Sequence, residues 1–335
     1  MNKFMLNPAQ KLNPKIFDLQ VEQVPIRNGF GEGLLEAGTK NKNIVALCAD
    51  LVESTRMNMF ADKFPERYIE VGVAEQNLVT VASGLAAMGK IPFTSSYAMF
   101  SPGRNWEQIR TTICYNDRPV KIVGSHAGIS VGPDGGTHQA IEDIALMRVL
   151  PRMTVVVPAD SIEAQKATVA IAETTSPAYI RLGRNKTVVV TTVDSPFELG
   201  RANILINPSK PQVALIACGQ MVYRALQAAK KLSAEGLEVS VTNLHTIKPL
   251  DTATILKIAS EAGAVVTIEE HQIAGGMGSS VAEFLIGHKP VPMAIMGIKD
   301  DFGQSGEPAE LLDHYGLGVE DIIKTVKEVV TRKII

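Results

Sequence analysis

The stretch RYIEVGVAEQN, residues 67–77, runs from an apolar strand pattern directly into a helix and carries Glu75 at the junction. Val71 and Val73 end the strand, and the run LVTVASGLAAMG that follows is rich in small residues, which permit close helix packing. Short β-branched runs that alternate with helix-period runs are typical of parallel sheets covered by helices on both faces. The stretch therefore predicts one strand–helix unit of an α/β fold.

The same alternation repeats along the chain and falls into two halves. Strands are predicted at 43–49, 67–73, 91–96, 119–125, 153–159 and 178–183 in the first half, and at 212–219, 237–244, 263–270 and 291–298 in the second. Between the halves, residues 185–212 contain three prolines and no helical period. We predict two doubly wound, mostly parallel-sheet α/β domains: an N-terminal extension 1–24, a first domain 25–190, a linker 191–211 and a smaller second domain 212–335.

Composition excludes several classes of function. The 335 residues are 45% hydrophobic and carry a net charge of −2 with acids and bases interspersed, so no surface for nucleic acid or anionic lipid is indicated. No segment has the length of a signal or membrane-spanning run, and we expect a cytoplasmic protein. Cys48, Cys114 and Cys218 are far apart without C-x-x-C spacing, so we expect neither disulfides nor a metal site.

Glu75 lies where chemistry is expected in this fold class. Ligands of open α/β folds bind at the carboxyl edge of the sheet, and Glu75 follows a predicted strand at that edge. A helix N-terminus favours the ionised carboxylate, whereas apolar surroundings favour the protonated acid, so this group could share a proton near neutral pH. The alternative is a first-turn glutamate that only stabilises its helix dipole.

A glycine-rich loop after the strand at 119–125 is a second candidate. The sequence GSHAGISVGPDGGTHQAIED, residues 124–143, carries His126, Asp134 and His138, and its glycines would allow backbone amides to approach a ligand. The alternative is a surface connection with an ordinary turn at Asp134 and Gly135.

Aromatic residues are sparse in the chain, yet three of them follow the strand at 91–96. Tyr97, Phe100 and Trp106 could form a stacking wall for a planar ring, and core packing explains them equally well. His271, which ends a predicted strand of the second domain, is a turn residue or a subunit contact on this reasoning.

Five motifs occur in an order that is found in a known family. The segments RYIEVGVAEQN, GISVGPDGGTHQ, VVVPAD, LGR and EEHQIAGGMGSS resemble the C-terminal half of a transketolase, from about residue 25 to the C-terminus. The resemblance covers the pyrimidine-binding domain and the transketolase C-terminal domain. It implies a thiamine-diphosphate-dependent enzyme that transfers a two-carbon ketol unit between sugar phosphates.

The resemblance also implies roles for single residues. Glu75 matches the glutamate that shares a proton with a nitrogen of the pyrimidine ring, and Tyr97 and Phe100 match rings that pack on the pyrimidine. His126 matches a catalytic residue that, with Asp134, hydrogen-bonds substrate hydroxyls. The remaining implied substrate-binding residues are His138 on the same loop and a clamp for the terminal phosphate formed by Arg27, Ser54 and Arg184.

The sequence departs from the family pattern at two points, and both affect what the resemblance implies. The string Gly-Asp-Gly, which in full-length transketolases belongs to the element that holds Mg²⁺ and the diphosphate, is absent. The resemblance therefore implies one subunit of a split transketolase, which binds the pyrimidine end of the cofactor. A separate N-terminal, diphosphate-binding subunit would bring Mg²⁺, and two copies of each chain would form a heterotetramer. In addition, FSPGRNWEQIR differs from the family's usual continuation and leaves open whether Arg104 faces substrate or partner.

Related families share much of this pattern, and the sequence leaves four interpretations open beside the main one. Deoxyxylulose-phosphate synthase has a similar glutamate and loop but usually carries arginine where His126 stands. The β subunits of 2-oxoacid dehydrogenases lack the set Arg27, Ser54 and Arg184. The third interpretation is a thiamine-dependent subunit that acts on unusual sugars, and the fourth is a non-catalytic assembly subunit.

Overall fold

A computed structural model describes residues 4–334, and it confirms an α/β fold built on two mostly parallel sheets. Within that range no helix is both long enough and apolar enough to cross a membrane. The strands are β1 Gln23–Pro25, β2 Ile44–Cys48, β3 Tyr68–Glu70, β4 Ile91–Tyr97, β5 Lys121–Ser125, β6 Thr154–Val156, β7 Ala178–Arg181, β8 Lys186–Val188, β9 Asn203–Ile206, β10 Val213–Ala217, β11 Val239–Asn243, β12 Thr246–Lys248, β13 Val265–Gln272 and β14 Met293–Ile298.

Helices connect these strands in both halves of the chain. They are α1 Ile26–Lys40, α2 Asn58–Lys63, α3 Glu75–Ala87, α4 Trp106–Gln108, α5 Asp143–Arg148, α6 Ser161–Ala172, α7 Met221–Ala234, α8 Thr252–Ala262, α9 Met277–His288, α10 Pro308–His314 and α11 Val319–Thr331. A π-helical segment, Ile109–Cys114, continues α4, and short 3₁₀ turns lie at Pro8–Gln10, Pro65–Arg67, Ile129–Val131 and Arg332–Ile334.

The first sheet has seven strands in the order β12-β6-β7-β5-β4-β2-β3. All neighbours are parallel except β12, which comes from the second half of the chain and pairs antiparallel with β6. The second sheet has the order β14-β13-β10-β11-β9, and its edge strand β9 is antiparallel to β11. Residues 203–206, inside the predicted linker, thus belong to a sheet.

The strands are buried on both faces because helices cover each sheet from two sides. In β2, Val45 and Leu47 pack into one core cluster, while Ile44, Ala46 and Cys48 pack into another on the opposite face. The cluster that contains Val45 also includes residues of β10, so one core is shared by the two sheets. Period-two alternation of side chains explains this division, and the shared core fixes the sheets against each other.

Close packing of α1 against α6 positions the first turn of α1. A Cβ atom on Gly29 would lie 1.7 Å from the Ser161 carbonyl oxygen, and one on Gly33 would lie 2.7 Å from that of Gln165. Only glycine therefore permits this helix–helix distance. Because α1 begins at Ile26, its first turn carries Arg27.

Residues before β1 run across the junction of the two sheets. Asn7 Nδ2 donates to the Ile204 carbonyl at 2.8 Å, and Asn13 Nδ2 donates to that of Val189 at 2.9 Å. Ile16 is fully buried in the core of the second sheet. The predicted N-terminal extension is thus packed against the remainder of the chain over its described residues.

Asp160 holds the segment after β8 in place. It caps α6 by accepting the Glu163 amide at 2.9 Å, and its other oxygen accepts the amides of Val190 and Thr191 at 2.8 and 2.6 Å. The side chain is fully buried. One carboxylate therefore fixes both a helix end and the start of the connection between the sheets.

Asp160→Ala should lower the free energy of unfolding by about 2–4 kcal/mol, because several buried donors lose their acceptor. Urea denaturation followed by circular dichroism measures this change. Asp194→Ala is the matched control, since Asp194 is exposed on the same connection and its loss should change stability by less than about 0.5 kcal/mol. Equal stability of the two variants would contradict the role given to Asp160.

Candidate active site

The predicted site residues gather at the carboxyl edge of the first sheet. Parallel strands end on the same side of a sheet, so groups that follow different strands meet there. The residues concerned are Ser54 after β2, Glu75 after β3, Tyr97 at the end of β4, His126 after β5 and Arg184 after β7.

Glu75 is a buried carboxylate with few partners. It begins α3, is 3% exposed, and its Oε2 lies 3.5 Å from Nη1 of Arg104. Its backbone carbonyl accepts a hydrogen bond of 2.8 Å from Nδ2 of the buried Asn105. Val73, two residues before Glu75, is 69% exposed, and the turn after β4 supplies Asn105 and Arg104 as the neighbours of Glu75.

Two of the three candidate aromatic residues form the expected wall. The rings of Tyr97 and Phe100 lie 6.1 Å apart with an interplanar angle of 15°. Trp106 does not belong to this wall: its Nε1 donates to the Leu146 carbonyl at 2.7 Å and its ring packs against the shared core. The wall therefore offers two near-parallel rings at the sheet edge, which suits a flat ligand.

His126 is held by a hydrogen bond at each ring nitrogen. Its Nε2 lies 2.8 Å from Nη1 of Arg27, and its Nδ1 lies 2.9 Å from Oγ of Ser125. A guanidinium only donates, so Nε2 must accept and Nδ1 carries the proton that is donated to Ser125. His126 is 1% exposed and has a φ of 55°, a left-handed backbone that is uncommon outside glycine.

Its surroundings keep His126 neutral. Burial, together with the positive charges of Arg27 and Arg184, lowers the pKa of His126 to about 3. The Tyr97 ring stacks on the imidazole at 3.9 Å between centroids. The imidazole is therefore neutral at physiological pH and adds no charge to the site.

Three arginines form a cationic cluster beside His126. Burial, and then the charges of Arg56 and Arg184, lower the pKa of Arg27, which shows that these guanidiniums interact. Arg27 Nη1 donates to the Ser54 backbone carbonyl at 3.0 Å, and its buried Nε has no hydrogen-bond partner among residues 4–334. A cluster of like charges with a free donor suits an anionic ligand.

The other two arginines are also held by neutral groups. Arg184 Nη1 donates to the Val131 carbonyl at 3.0 Å, and Arg56 Nε donates to Oδ1 of Asn28 at 2.9 Å. Arg56 was not predicted from the sequence. Its position two residues after Ser54, behind a strand that ends at the site edge, is the signal that could have identified it.

The glycine-rich loop serves the domain contact more than a ligand. A Cβ on Gly135 would lie 2.6 Å from Ser305 Oγ, and one on Gly136 would lie 2.6 Å from the Gly303 carbonyl oxygen. These glycines therefore permit close packing of the segment 303–306, and the approach of their backbone amides to a ligand stays a prediction.

The polar residues of the loop have different environments. His138 lies edge-on to Phe100 at 5.5 Å between ring centroids, so the structure places it with the aromatic wall. Asp134 is exposed, and its contact with substrate hydroxyls stays a prediction.

A buried polar network under the loop was missed by sequence reasoning. Asp143 Oδ2 accepts hydrogen bonds from Nε of Arg181 at 2.8 Å and from the hydroxyl of Tyr179 at 2.7 Å. Glu270 of β13 accepts the Ser130 amide at 2.6 Å and so holds the loop to the second sheet. Spacing along the chain gave no sign of these pairs, because their members lie 36 to 140 residues apart.

His271 has a definite place in the domain contact. Its Nε2 accepts the Ala145 amide at 3.3 Å, and its Nδ1 donates to the Gln272 carbonyl at 2.7 Å. It therefore joins β13 to α5 of the first half of the chain within this subunit.

Comparison with known proteins agrees with the geometry. The sequence profile of the transketolase pyrimidine-binding domain matches residues 22–188, and that of the transketolase C-terminal domain matches residues 200–322. A putative transketolase C-terminal section of Methanocaldococcus jannaschii is 43% identical over 306 residues, which cover 90% of this chain and 95% of that protein. The chain belongs to the transketolase family. It carries the family's pyrimidine-binding and C-terminal domains.

Two further relatives are similar over almost their whole length. A 6-deoxy-6-sulfo-D-fructose transketolase subunit of Clostridium sp. (strain MSTE9) is 40% identical over 317 residues, 95% of this chain and 98% of that protein. A split gene transketolase, solved as an inactive beta4 tetramer, superposes with a TM-score of 0.86 at 45% identity and covers 92% of this chain and 99% of that one. This transketolase chain therefore has the domain content of proteins known as separate subunits.

The site residues fit the pyrimidine end of thiamine diphosphate, the cofactor that the pyrimidine-binding domain implies. Glu75 offers a buried carboxylate to a ring nitrogen, and the near-parallel rings of Tyr97 and Phe100 offer an apolar face. The unpartnered Nε of Arg27 lies among the cationic groups, where an anionic substrate would find a donor.

The charge state of His126 can be tested directly. In the wild-type protein its ring signals should not titrate between about pH 5 and 8, because its pKa is about 3. Arg27→Leu should raise the pKa of His126, since the neutral form loses the cation that favours it. Histidine-selective NMR titration measures both values, and Arg201→Leu, at an exposed arginine, should leave His126 unchanged. A wild-type midpoint near the ordinary value of about 6.5 would contradict the assignment.

Proposed function

We propose that this chain is the pyrimidine-binding subunit of a thiamine-diphosphate-dependent transketolase that moves a two-carbon ketol unit from a ketose phosphate to an aldose phosphate. The observation that carries the proposal is the buried Glu75 carboxylate at the sheet edge, which is contacted by the turn that follows the Tyr97 and Phe100 rings. Family membership and the near full-length similarity to separate transketolase subunits support it.

Each residue has a distinct task in this proposal. Glu75 shares a proton with a nitrogen of the pyrimidine ring and fixes the ring's orientation. Tyr97 and Phe100 exclude water from the ring face. When bound, the cofactor supplies the carbon nucleophile that attacks the ketose carbonyl. His126, with Asp134 and His138 of the same loop, would hydrogen-bond the sugar hydroxyls in the neutral form described above.

We assign the diphosphate end of the cofactor to another chain. The sequence has no Gly-Asp-Gly element, and the Mg²⁺ and diphosphate groups would be held by an N-terminal, diphosphate-binding subunit. Two copies of each subunit in a heterotetramer would give two complete sites. We keep residues 25–190 as the domain that supplies the pyrimidine half, and a cytoplasmic location stays a prediction from the sequence.

The cationic cluster is proposed to bind the terminal anion of the sugar. Arg27 and Arg184 were expected there with Ser54, and Arg56 joins them because it is hydrogen-bonded to Asn28, the residue next to Arg27. In this structure the backbone carbonyl of Ser54 accepts a hydrogen bond from Arg27, and a contact of its hydroxyl with the ligand stays a prediction. The Clostridium relative is named for a sulfonated sugar, and a sulfonate is also a terminal anion. The proposal therefore covers anionic sugars, with phosphate as the expected group.

Glu75→Ala should lower ketol transfer by about 10²–10⁴-fold, because the proton-sharing carboxylate is removed. The assay uses this chain reconstituted with the matching diphosphate-binding subunit, Mg²⁺ and thiamine diphosphate. Glu198→Ala, at an exposed glutamate, is the control and should retain wild-type turnover. Substantial turnover by the Glu75→Ala complex would contradict the mechanism assigned to Glu75. A wild-type complex that binds cofactor but is inactive would favour the role of a non-catalytic assembly subunit.

Arg56→Met and Arg184→Met should each raise KM for a phosphorylated aldose acceptor by about 10–100-fold, because a charged hydrogen bond contributes about 1.5–3 kcal/mol. The KM for the same aldose without its phosphate should change by less than about twofold. Arg201→Met serves as the matched arginine control. Equal losses for both acceptors would show that the cluster does not recognise the anion, and a sulfonated acceptor tests whether it distinguishes the two anions.

A further inference from the structure

The turn after β4 holds Glu75 at two points. Asn105 Nδ2 donates to the Glu75 backbone carbonyl at 2.8 Å, while the neighbouring Arg104 brings Nη1 to 3.5 Å from the carboxylate. Asn105 is fully buried and also contacts Ser101 Oγ at 3.2 Å, so the backbone contact is rigid. Only the guanidinium contact depends on an exposed side chain.

The ion pair between Arg104 and Glu75 is loose. Its separation of 3.5 Å exceeds the 2.7–2.9 Å of a tight charged hydrogen bond by a clear margin. The Arg104 side chain is 60% exposed, whereas that of Glu75 is 3% exposed. Water can hydrate the exposed guanidinium when it leaves, whereas the buried carboxylate then needs another partner.

The same turn carries the aromatic wall. The Arg104 amide donates to the Phe100 carbonyl at 2.9 Å, so the residue that contacts Glu75 is tied to the turn that follows the wall. Among residues 4–334, the charged side chain that approaches the Glu75 carboxylate is that of Arg104. The guanidinium lies beside Oε2 of this carboxylate, so a ring nitrogen that binds to the same oxygen would meet it.

We infer that Arg104 is an exchangeable counter-ion for Glu75: it occupies the carboxylate before the cofactor binds and gives way to the ring nitrogen of the pyrimidine. This inference rests on the proposed function. Arg104 acts through Glu75 as a positioning residue, since it keeps a buried carboxylate compensated and aimed into the site. It also competes with the cofactor for that carboxylate, so affinity is reduced by the small free energy of the pair.

The test is a double-mutant cycle on cofactor affinity. The reconstituted pair of subunits is titrated with thiamine diphosphate at saturating Mg²⁺, and the dissociation constant is measured by calorimetry. Arg104→Gln should tighten binding by about two- to fivefold, because the competing cation is lost. Arg104→Lys, which keeps the charge, should bind much as the wild type does, and Arg201→Gln is the matched control.

Repeating the Arg104→Gln measurement in a Glu75→Gln background distinguishes competition for the carboxylate from a purely structural effect of Arg104. In a Glu75→Gln background, Arg104→Gln should no longer change the affinity, since there is no carboxylate for the guanidinium to occupy. Weaker or unchanged binding by Arg104→Gln, or the same tightening in both backgrounds, overturns the inference while the proposed function stands. Failure of the wild-type pair to bind the cofactor overturns both.

A second measurement needs no cofactor. In the chain alone, Arg104→Gln and Glu75→Gln remove the same ion pair, so the double variant should show a thermal unfolding midpoint that differs from the sum of the two single changes. Additive midpoints would show that the pair does not form in solution and would contradict the inference. The melts also establish that every variant is folded.

Discussion

The site depends on the hydrogen bonds of the Arg181 guanidinium. They hold the two halves of the chain and the glycine-rich loop together. It is buried, it donates to the Asp143 carboxylate at 2.8 Å, and its Nη2 donates to the carbonyls of Ala140 and Glu270. One side chain on β7 thereby joins the end of the glycine-rich loop to β13 of the second sheet. The Glu270 carboxylate in turn accepts a hydrogen bond from the Ser130 amide, so the glycine-rich loop is also bound to β13 of the second sheet. Removal of one partner would leave a buried charge uncompensated, which is a strong constraint on this arrangement.

Arg181 and the arginines of the cationic cluster differ in their hydrogen-bond partners. This difference explains why the positive charge of the cluster is not neutralised. Arg181 is neutralised by Asp143, and its task is structural. Arg27 and Arg184 are held instead by backbone carbonyls, which fix a guanidinium without cancelling its charge. His126 between them is neutral, because protonation beside those cations would be unfavourable. If the proposed function is correct, the edge of the first sheet is organised for an anion before any anion is bound.

The sequence predicted the sheet framework better than its edges. Continuous apolar runs such as the one that forms β2 are long and buried on both faces, so their identity as strands was clear. β1, β8, β9 and β12 were missed because each is three or four residues long and pairs antiparallel at a sheet edge or in a two-stranded ribbon. Tertiary pairing, as in Thr246 against Val156, creates them, and no local period marks them. Glu75 and His126 were predicted as site residues through motifs, whereas Arg56 was not predicted because a single arginine after a strand resembles any surface arginine.

Under the proposed function, Glu75 has to meet two opposing requirements. A carboxylate that is 3% exposed needs compensation even when its ligand is absent, and a buried permanent partner such as the one that Arg181 provides for Asp143 would exclude the ligand. The protein separates the two requirements. Asn105 fixes the backbone of Glu75 through a short, buried hydrogen bond, and the exposed Arg104 compensates the charge through a long contact that can be exchanged. Rigidity therefore comes from a neutral group and charge balance from a mobile one, which leaves the carboxylate positioned and still able to accept a new partner.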